Sequence, residues 1–249
     1  MFVELIGPPG CGKTTIARLL DEWFAGSALP YVRSTELASL DSDIGEHYLK
    51  RIGFFGQVFC LAPLLWHHPR IAVGVLFLAA THGPPYRTRF QRARRILGHF
   101  LLMLRLRRLA DERVIVLDDG FVQRLWSLLV ESKSLHGERL VRIVLDQYYA
   151  TLAPLGVNLE IDDDVTTARV FGRNSRGRFN RESGEERRQA FSRWLGYHRR
   201  LVTLLPSKAI QASIDASGEP GEVADRLAAV VIGLADDTGE WAAHARARD

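Results

Sequence analysis

Short apolar runs alternate with longer segments of helical spacing along most of the chain. Short runs rich in apolar residues predict strands at residues 2–6, 31–34, 114–117, 157–161 and 209–214. The runs at 114–117 and 157–161 lack polar alternation, so these two strands are expected to be buried in a parallel sheet. Apolar residues at helical spacing predict a helix at 13–24, and further helical segments are expected between the strands at about 138–152, 164–172, 185–205 and 220–235. Strands that alternate with helices form βαβ units, so this pattern predicts an α/β fold with a parallel sheet.

Residues 40–112 depart from that alternation. They contain an apolar block at 54–83 and a basic, apolar block at 87–108, and the cleanest apolar run, 71–80, is too short to cross a bilayer. Buried or amphipathic helices of an inserted subdomain are therefore expected. Because aliphatic and arginine side chains mix here, a peripheral membrane contact through 54–108 and a homodimer interface stay open as alternatives.

The basic run within this insertion is weak support for nucleic-acid binding. The run has five arginines, Arg87, Arg89, Arg92, Arg94 and Arg95. Few aromatic residues that could stack on bases accompany them, namely Tyr86 and Phe90. The pair His67–His68 has no third ligand at metal-binding spacing, so we expect no metal there.

The amino-acid composition is that of a globular protein. The 249 residues are 47% apolar and 25% charged, which suits one globular domain over 1–235 with a polar, flexible tail at 236–249. The net charge is +4, and 29 of the 33 basic residues are arginine, the better side chain for bidentate grip on phosphate. Cys11 and Cys60 cannot build a disulfide framework, and the N-terminus lacks a signal-peptide pattern, so a cytoplasmic location is expected.

A phosphate-binding loop joins the first strand to the first helix. Its pattern, G-x-x-x-x-G-K-[ST], is met at every fixed position by Gly7, Pro8, Pro9, Gly10, Cys11, Gly12, Lys13 and Thr14, followed by Thr15. Glycines let consecutive amides wrap a phosphate at the helix N-terminus. Lys13 is expected to reach the β and γ phosphates, and Thr14 to ligate Mg²⁺. Cys11 is expected to be a small filler.

Two carboxylates follow the strand at 114–117. Asp118 is predicted to lie at the carboxyl edge of the sheet beside the phosphate loop, where it can hold Mg²⁺. Asp119 has three open roles: a base for a substrate hydroxyl, a residue that orients water, or a partner of Arg124. A helix N-cap is the non-catalytic interpretation of this pair.

With the phosphate loop, the segment LEIDDDVTTARVFGRNSRGRF at 159–179 resembles the P-loop nucleoside and nucleotide kinases, most closely the thymidylate kinases. The resemblance covers 1–36, 113–126 and 155–233. It implies a three-layer α/β/α fold with strand order 2-3-1-4-5, ATP as donor, and a lid at 169–183 that closes over it. It further implies that Arg33 faces the acceptor, that Arg169 stacks on the nucleotide base, and that Asp215 lies in the nucleotide-binding segment after the fifth strand.

The lid also has a physical rationale. Arg173, Arg176 and Arg178 could stabilise the charge that spreads over a transferring phosphoryl group. Gly172 and Gly177, which are interspersed with the lid arginines, give the backbone the freedom that a closing loop needs. A solvated basic loop is the plainer interpretation. One feature departs from the family pattern, which has an Asp-Arg pair after the third strand, and Arg124, one helical turn later, is the expected substitute in binding an acceptor phosphate.

These features predict an ATP- and Mg²⁺-dependent kinase acting on a small-molecule hydroxyl or phosphate. Its catalytic residues would be Lys13, Asp118, Asp119, Arg173, Arg176 and Arg178. The acceptor site diverges from thymidylate kinases because the insertion occupies the acceptor-binding region. The alternatives are a P-loop ATPase or GTPase switch whose insertion binds a protein or membrane, and a nucleotide-binding module without catalysis. The intact Lys13, Thr14 and Asp118 argue against the last.

Overall fold

A computed structural model describes residues 1–25, 30–32, 62–82, 86–130, 137–172 and 184–237. Its five strands are β1 (Phe2–Ile6), β2 (Tyr31–Val32), β3 (Val114–Leu117), β4 (Leu155–Glu160) and β5 (Ile210–Asp215). All neighbouring pairs are parallel, and the order is β2-β3-β1-β4-β5. The predicted α/β class and strand order are confirmed.

Eight helices are labelled below: α1 (Lys13–Ala25), α2 (Pro69–Thr81), α3 (Tyr86–Glu112), α4 (Phe121–Leu129), α5 (Glu138–Leu152), α6 (Asp163–Phe171), α7 (Gly184–Val202) and α8 (Pro220–Asp237). The helices predicted from periodicity are confirmed to within three residues at each end. Helix α4 was not predicted. It has only nine residues, which is shorter than the window of about 11–18 residues over which helical periodicity is recognised, although Gln123, Arg124 and Ser127 do form a polar face.

The sheet has a helical layer on each face, and β1 supplies side chains to both. Val3 and Leu5 pack with α1 and α8, whereas Phe2 and Ile6 belong to the larger cluster that includes α4, α5 and α7. Side chains of successive strand residues point to opposite faces. Glu4 therefore lies on the side of the larger cluster, and its hydrogen bonds confirm this placement.

The described part of the insertion is helical and joins the larger cluster. In α2 the buried residues include Ile71, Val75 and Leu78, and in α3 they include Phe100. Gly74 allows α5 to approach closely, because a Cβ at this position would lie 2.4 Å from Val144 Cγ2. Within the described residues, no helix has the length and apolar character needed to cross a membrane.

Candidate phosphate-binding site

The phosphate loop between β1 and α1 has backbone geometry that its glycines make accessible. Gly10 and Gly12 have φ angles of 93° and 96°, which side-chain-bearing residues rarely adopt. At Gly10 space is also short, since a Cβ would lie 2.6 Å from Val170 Cγ2 of α6. The loop is therefore packed directly against the helix that leads into the predicted lid.

Lys13 spans the loop from the first turn of α1. Its ammonium group donates hydrogen bonds to the carbonyl oxygens of Gly7 at 2.6 Å and Pro8 at 3.0 Å. Cys11 is buried in the core beside it, in agreement with the role of a small filler. Pro9 and Thr15 are partly buried, and Thr14 is exposed at the start of α1. A cation and the hydroxyl of an exposed threonine thus both lie at the start of α1, next to the loop.

Asp118 follows β3, the strand that pairs with β1. Because the two strands are parallel, its half-buried carboxylate lies at the same sheet edge as the phosphate loop. It is also close to Tyr31, whose pKa is raised by burial and further by the charges of Asp21 and Asp118.

These oxygen donors fit Mg²⁺ bound together with a nucleotide. Thr14 offers a hydroxyl and Asp118 a carboxylate, which are the hard ligands that Mg²⁺ prefers. Among the described residues, no group of three His, Cys, Asp or Glu side chains is placed to hold a metal ion. The set therefore suits an ion that takes its remaining ligands from phosphate and water.

Asp119 is the ion-pair partner of Arg124. The Arg124 guanidinium donates from Nε to the Asp119 carbonyl at 2.9 Å and lies 3.3 Å from the Asp119 carboxylate. Of the three roles left open for Asp119, this is the one observed, while those of base and water-orienting residue stay predictions. Arg124 is mostly buried and Asp119 largely exposed, so the carboxylate faces outward from the turn.

Glu4, which sequence analysis passed over, lies fully buried beneath this turn. Its carboxylate accepts a hydrogen bond from the Val122 amide at 2.7 Å and another from the Tyr148 hydroxyl at 3.1 Å. Burial raises the pKa of Glu4 to about 7, although both hydrogen bonds oppose the rise. The only sequence signal was a charged residue inside an otherwise apolar strand, since a charge there must be paired or neutralised.

Arg169 joins α6 to the loop after β5. Its guanidinium donates to the carbonyl oxygens of Ala216, Ser217 and Gly218 at 3.0, 3.1 and 3.3 Å. Asp215 is exposed, and its carboxylate accepts a hydrogen bond from the Ser217 amide, which lowers the pKa of Asp215. The two residues predicted to contact the nucleotide are therefore brought together at the carboxyl edge of the sheet, while base stacking by Arg169 stays a prediction.

A pocket of about 220 Å³ adjoins the phosphate loop on the side of β4. Its lining comes from the loop, the end of β4, the start of α6 and α7, and consists of Pro8, Asn158, Leu159, Glu160, Ile161, Asp163, Leu195, His198, Arg199 and Val202. Burial, with smaller contributions from the charges of Lys13 and Arg199, lowers the pKa of His198 to about 3. His198 is therefore a neutral imidazole at physiological pH, and Arg199 is paired with Asp163.

Four predicted site residues, Arg33, Arg173, Arg176 and Arg178, lie outside the described residues. The described site thus comprises the phosphate loop, the two aspartates, Arg124, Arg169 and Asp215.

Comparison with known proteins does not assign the chain to a family. No protein-family model matches the chain, and no curated protein matches it in sequence. Among solved structures, a deoxyadenosine kinase from M. mycoides with products dCMP and a flexible dCDP bound is similar over 94% of this chain and 100% of its own, at 13% identity and a TM-score of 0.42. A TM-score this low establishes no shared fold, so the fold assignment rests on the strand order and phosphate loop described above.

Proposed function

We propose that the protein is a phosphotransferase that moves the γ-phosphoryl group of ATP to a small-molecule acceptor. The observation that carries the proposal is the phosphate loop on the central strand, with Asp118 at the end of the adjacent parallel strand. The loop offers backbone amides and Lys13, while Asp118 offers a carboxylate at the same edge of the sheet. This is the arrangement that phosphoryl transfer needs to hold charge and fix geometry.

Each group has an assigned role. Lys13 would leave the loop carbonyls and contact the β and γ phosphates, and Mg²⁺, held through Thr14 and Asp118, would neutralise charge on the phosphates. Because the Arg169 guanidinium is hydrogen-bonded to the loop after β5, we infer that the nucleotide base binds near residues 215–218. The arginines at 173, 176 and 178 keep the lid role proposed from sequence.

The acceptor is proposed to be a small molecule with a hydroxyl or phosphate. Arg33 and Arg124 keep their proposed roles in binding it. In the described structure Arg124 is engaged by Asp119, so binding an acceptor phosphate would require it to share or exchange that partner.

The first test is ATP turnover by Lys13→Ala. Removing the ammonium group deletes the only side-chain cation of the loop motif, so we expect turnover to fall at least ~100-fold. Lys208→Ala is the matched control. Lys208 is exposed and lies just before β5, at the amino ends of the strands and therefore away from the phosphate loop at their carboxyl ends. Turnover by Lys13→Ala at the wild-type rate would contradict the proposal.

A screen of acceptors separates the kinase from the NTPase switch. The kinase proposal expects slow ATP hydrolysis that is strongly accelerated by one compound from a panel of nucleosides, sugars and antibiotics, with a phosphorylated product detected by mass spectrometry. Hydrolysis at several per second without any acceptor would favour the switch instead.

We also propose that the insertion contacts an anionic membrane surface. Residues 47–110 contain eleven basic residues and no Asp or Glu, whereas the other 185 residues carry 22 basic and 29 acidic side chains. Val73 and Phe77 are 55% and 57% exposed on one face of α2 with Arg70, and Trp66, just before α2, is 83% exposed. Exposed apolar side chains among arginines favour anionic lipid over nucleic acid.

Sedimentation with vesicles tests this surface. Wild-type protein should bind phosphatidylcholine vesicles containing phosphatidylglycerol and release them at high salt, and Trp66→Ser/Phe77→Ser should bind at least ~10-fold more weakly. Trp23→Ser on α1, also exposed, is the matched control. Self-association lost in the double variant, without lipid binding, would replace the membrane by a dimer interface.

A further inference from the structure

Glu4 connects the two parts of the proposed phosphate site. It lies three residues before Gly7, on the strand that leads into the phosphate loop, and its carboxylate reaches the turn that follows Asp118 and Asp119. Glu4 and Val122 are 118 positions apart in sequence, yet their side-chain oxygen and amide nitrogen are 2.7 Å apart. One buried side chain thus links the loop strand to the aspartate turn.

The turn is built around this carboxylate. Gly120 precedes α4 and has no side chain to cap the helix, so Glu4 takes that role by accepting the Val122 amide at the first turn. A Cβ at Gly120 would lie 2.3 Å from the Glu4 carboxylate oxygen, although the Gly120 backbone angles are ordinary. Glycine is therefore required here for space.

The other carboxylate oxygen is held from α5. It accepts the Tyr148 hydroxyl, and the Tyr148 ring stacks on Phe121 of α4 with 4.2 Å between centroids and 11° between planes. Tyr148 and Phe121 are both fully buried. Neither Glu4 nor the first turn of α4 can shift without disturbing this stack, so the linkage is rigid.

We propose that Glu4 is a positioning residue for the nucleotide-bound Mg²⁺, because it holds the Asp118–Asp119 turn against the phosphate loop. This inference rests on the proposed function, since it assigns Glu4 a part in that same site. Asp118 is two residues from Gly120, so a shift of the turn displaces the carboxylate that would meet the ion. Groups that orient metal ligands without touching the metal typically contribute 10- to 100-fold in metal affinity or activity.

The test is ATP affinity, measured by calorimetry with excess Mg²⁺ and again with excess EDTA. In Glu4→Ala, we expect the strengthening of ATP binding by Mg²⁺ to fall at least ~10-fold, while affinity in EDTA changes little because Lys13 and the loop amides are intact. Glu4→Gln keeps an oxygen for the Val122 amide and should retain the strengthening within about twofold, which a mere requirement for charge would not allow. Tyr148→Phe, which keeps the ring stack and the Val122 contact, is the matched control and should lose less than Glu4→Ala.

A second variant guards against misfolding. If Glu4→Ala fails to give the wild-type circular dichroism spectrum, Gly120→Ala takes its place, because it displaces the same turn and keeps Glu4 in the sequence. It should show the same loss of the strengthening of ATP binding by Mg²⁺. A folded Glu4→Ala or Gly120→Ala that keeps the full Mg²⁺ effect overturns this inference and leaves the phosphotransferase proposal standing. Absence of ATP binding by the wild-type protein overturns the proposed function, and the inference with it.

Discussion

The two faces of the sheet bury different kinds of side chain. On the face of α1 and α8 the core is mostly aliphatic, with Phe24 and Tyr31 as its stacked aromatic pair, and none of the buried polar side chains of the described residues lies on either helix. The opposite face buries Glu4, His99 and His198 among its apolar residues. Burying groups that water would stabilise is costly, so this face carries the larger desolvation cost and its polar side chains depend more on their surroundings.

On the face that buries Glu4, His99 and His198, here called the polar face, the charged and titratable side chains also interact with one another. Arg124 lies close enough to His99 to lower further the pKa that burial has already depressed. The same guanidinium binds Asp119, whose charge acts on Glu4. A substitution on this face should therefore disturb several groups at once, whereas one on the aliphatic face should stay local.

The largest expected difference between the faces is in pH dependence. The pKa of Glu4 is raised from 4.5 to about 7, so between these pH values the folded state binds more protons than the unfolded state. The free energy of unfolding contributed by Glu4 thus falls as pH rises through this window and is level above it, a loss of about 3 kcal/mol. Glu4→Gln should remove this loss, so its stability relative to wild type should rise from pH 4.5 to pH 8.

Urea unfolding of both proteins at several pH values measures this effect. Comparing variant with wild type cancels the contributions of other groups. Among these is His198, whose lowered pKa acts in the opposite sense, raising stability as pH increases from about 3 to 6.5. Parallel pH profiles for the two proteins would mean that Glu4 is not buried as described.

A pair of glycine substitutions compares the faces directly. Gly120→Ala introduces a Cβ 2.3 Å from the Glu4 carboxylate and should destabilise the protein by about 2 kcal/mol. Gly233→Ala is the matched change in α8, where a Cβ meets nothing within 4 Å, and should stabilise by about 0.5–1 kcal/mol through helix propensity. Thermal unfolding followed by circular dichroism provides both values.

One result would contradict the expected difference between the two glycines. Equal effects at the two glycines would show that the turn at Gly120 yields easily, and Glu4 would then not constrain it. Combining Gly120→Ala with Glu4→Ala sharpens the result, because removal of the carboxylate should relieve most of the added cost.

The smallest expected effect is at the surface of the polar face. Arg200 of α7 donates two hydrogen bonds to the carboxylate of Glu138 at the start of α5, and the two side chains are 54% and 36% exposed. Water and salt screen such pairs, so Glu138→Gln should lower the melting temperature by at most ~2 °C. A larger fall would show that polar contacts matter on this face even where they are exposed.

Local features of the chain were predictable to the extent that their causes are local. The phosphate loop follows from glycine spacing and from Lys13, and the strands follow from short runs rich in apolar residues, because these depend on neighbouring residues only. Helix α4 was missed because it is short and because its N-terminal amide is capped by Glu4, far away in sequence, so no capping residue precedes it. Asp119 was left with three roles because its partner depends on how the turn places Arg124.

By itself, the sequence determined the α/β class, the strand order through a family resemblance, and the residues that could meet a phosphate. Backbone torsion, hydrophobic periodicity and motif spacing act over a few residues, and these can be inferred without coordinates. Only the tertiary structure decided that Glu4 is a buried link between the phosphate loop and the aspartate turn, and that Gly120 is there for space. Such roles arise from the protonation and hydrogen bonding of one side chain in surroundings supplied by β1, α4 and α5 together.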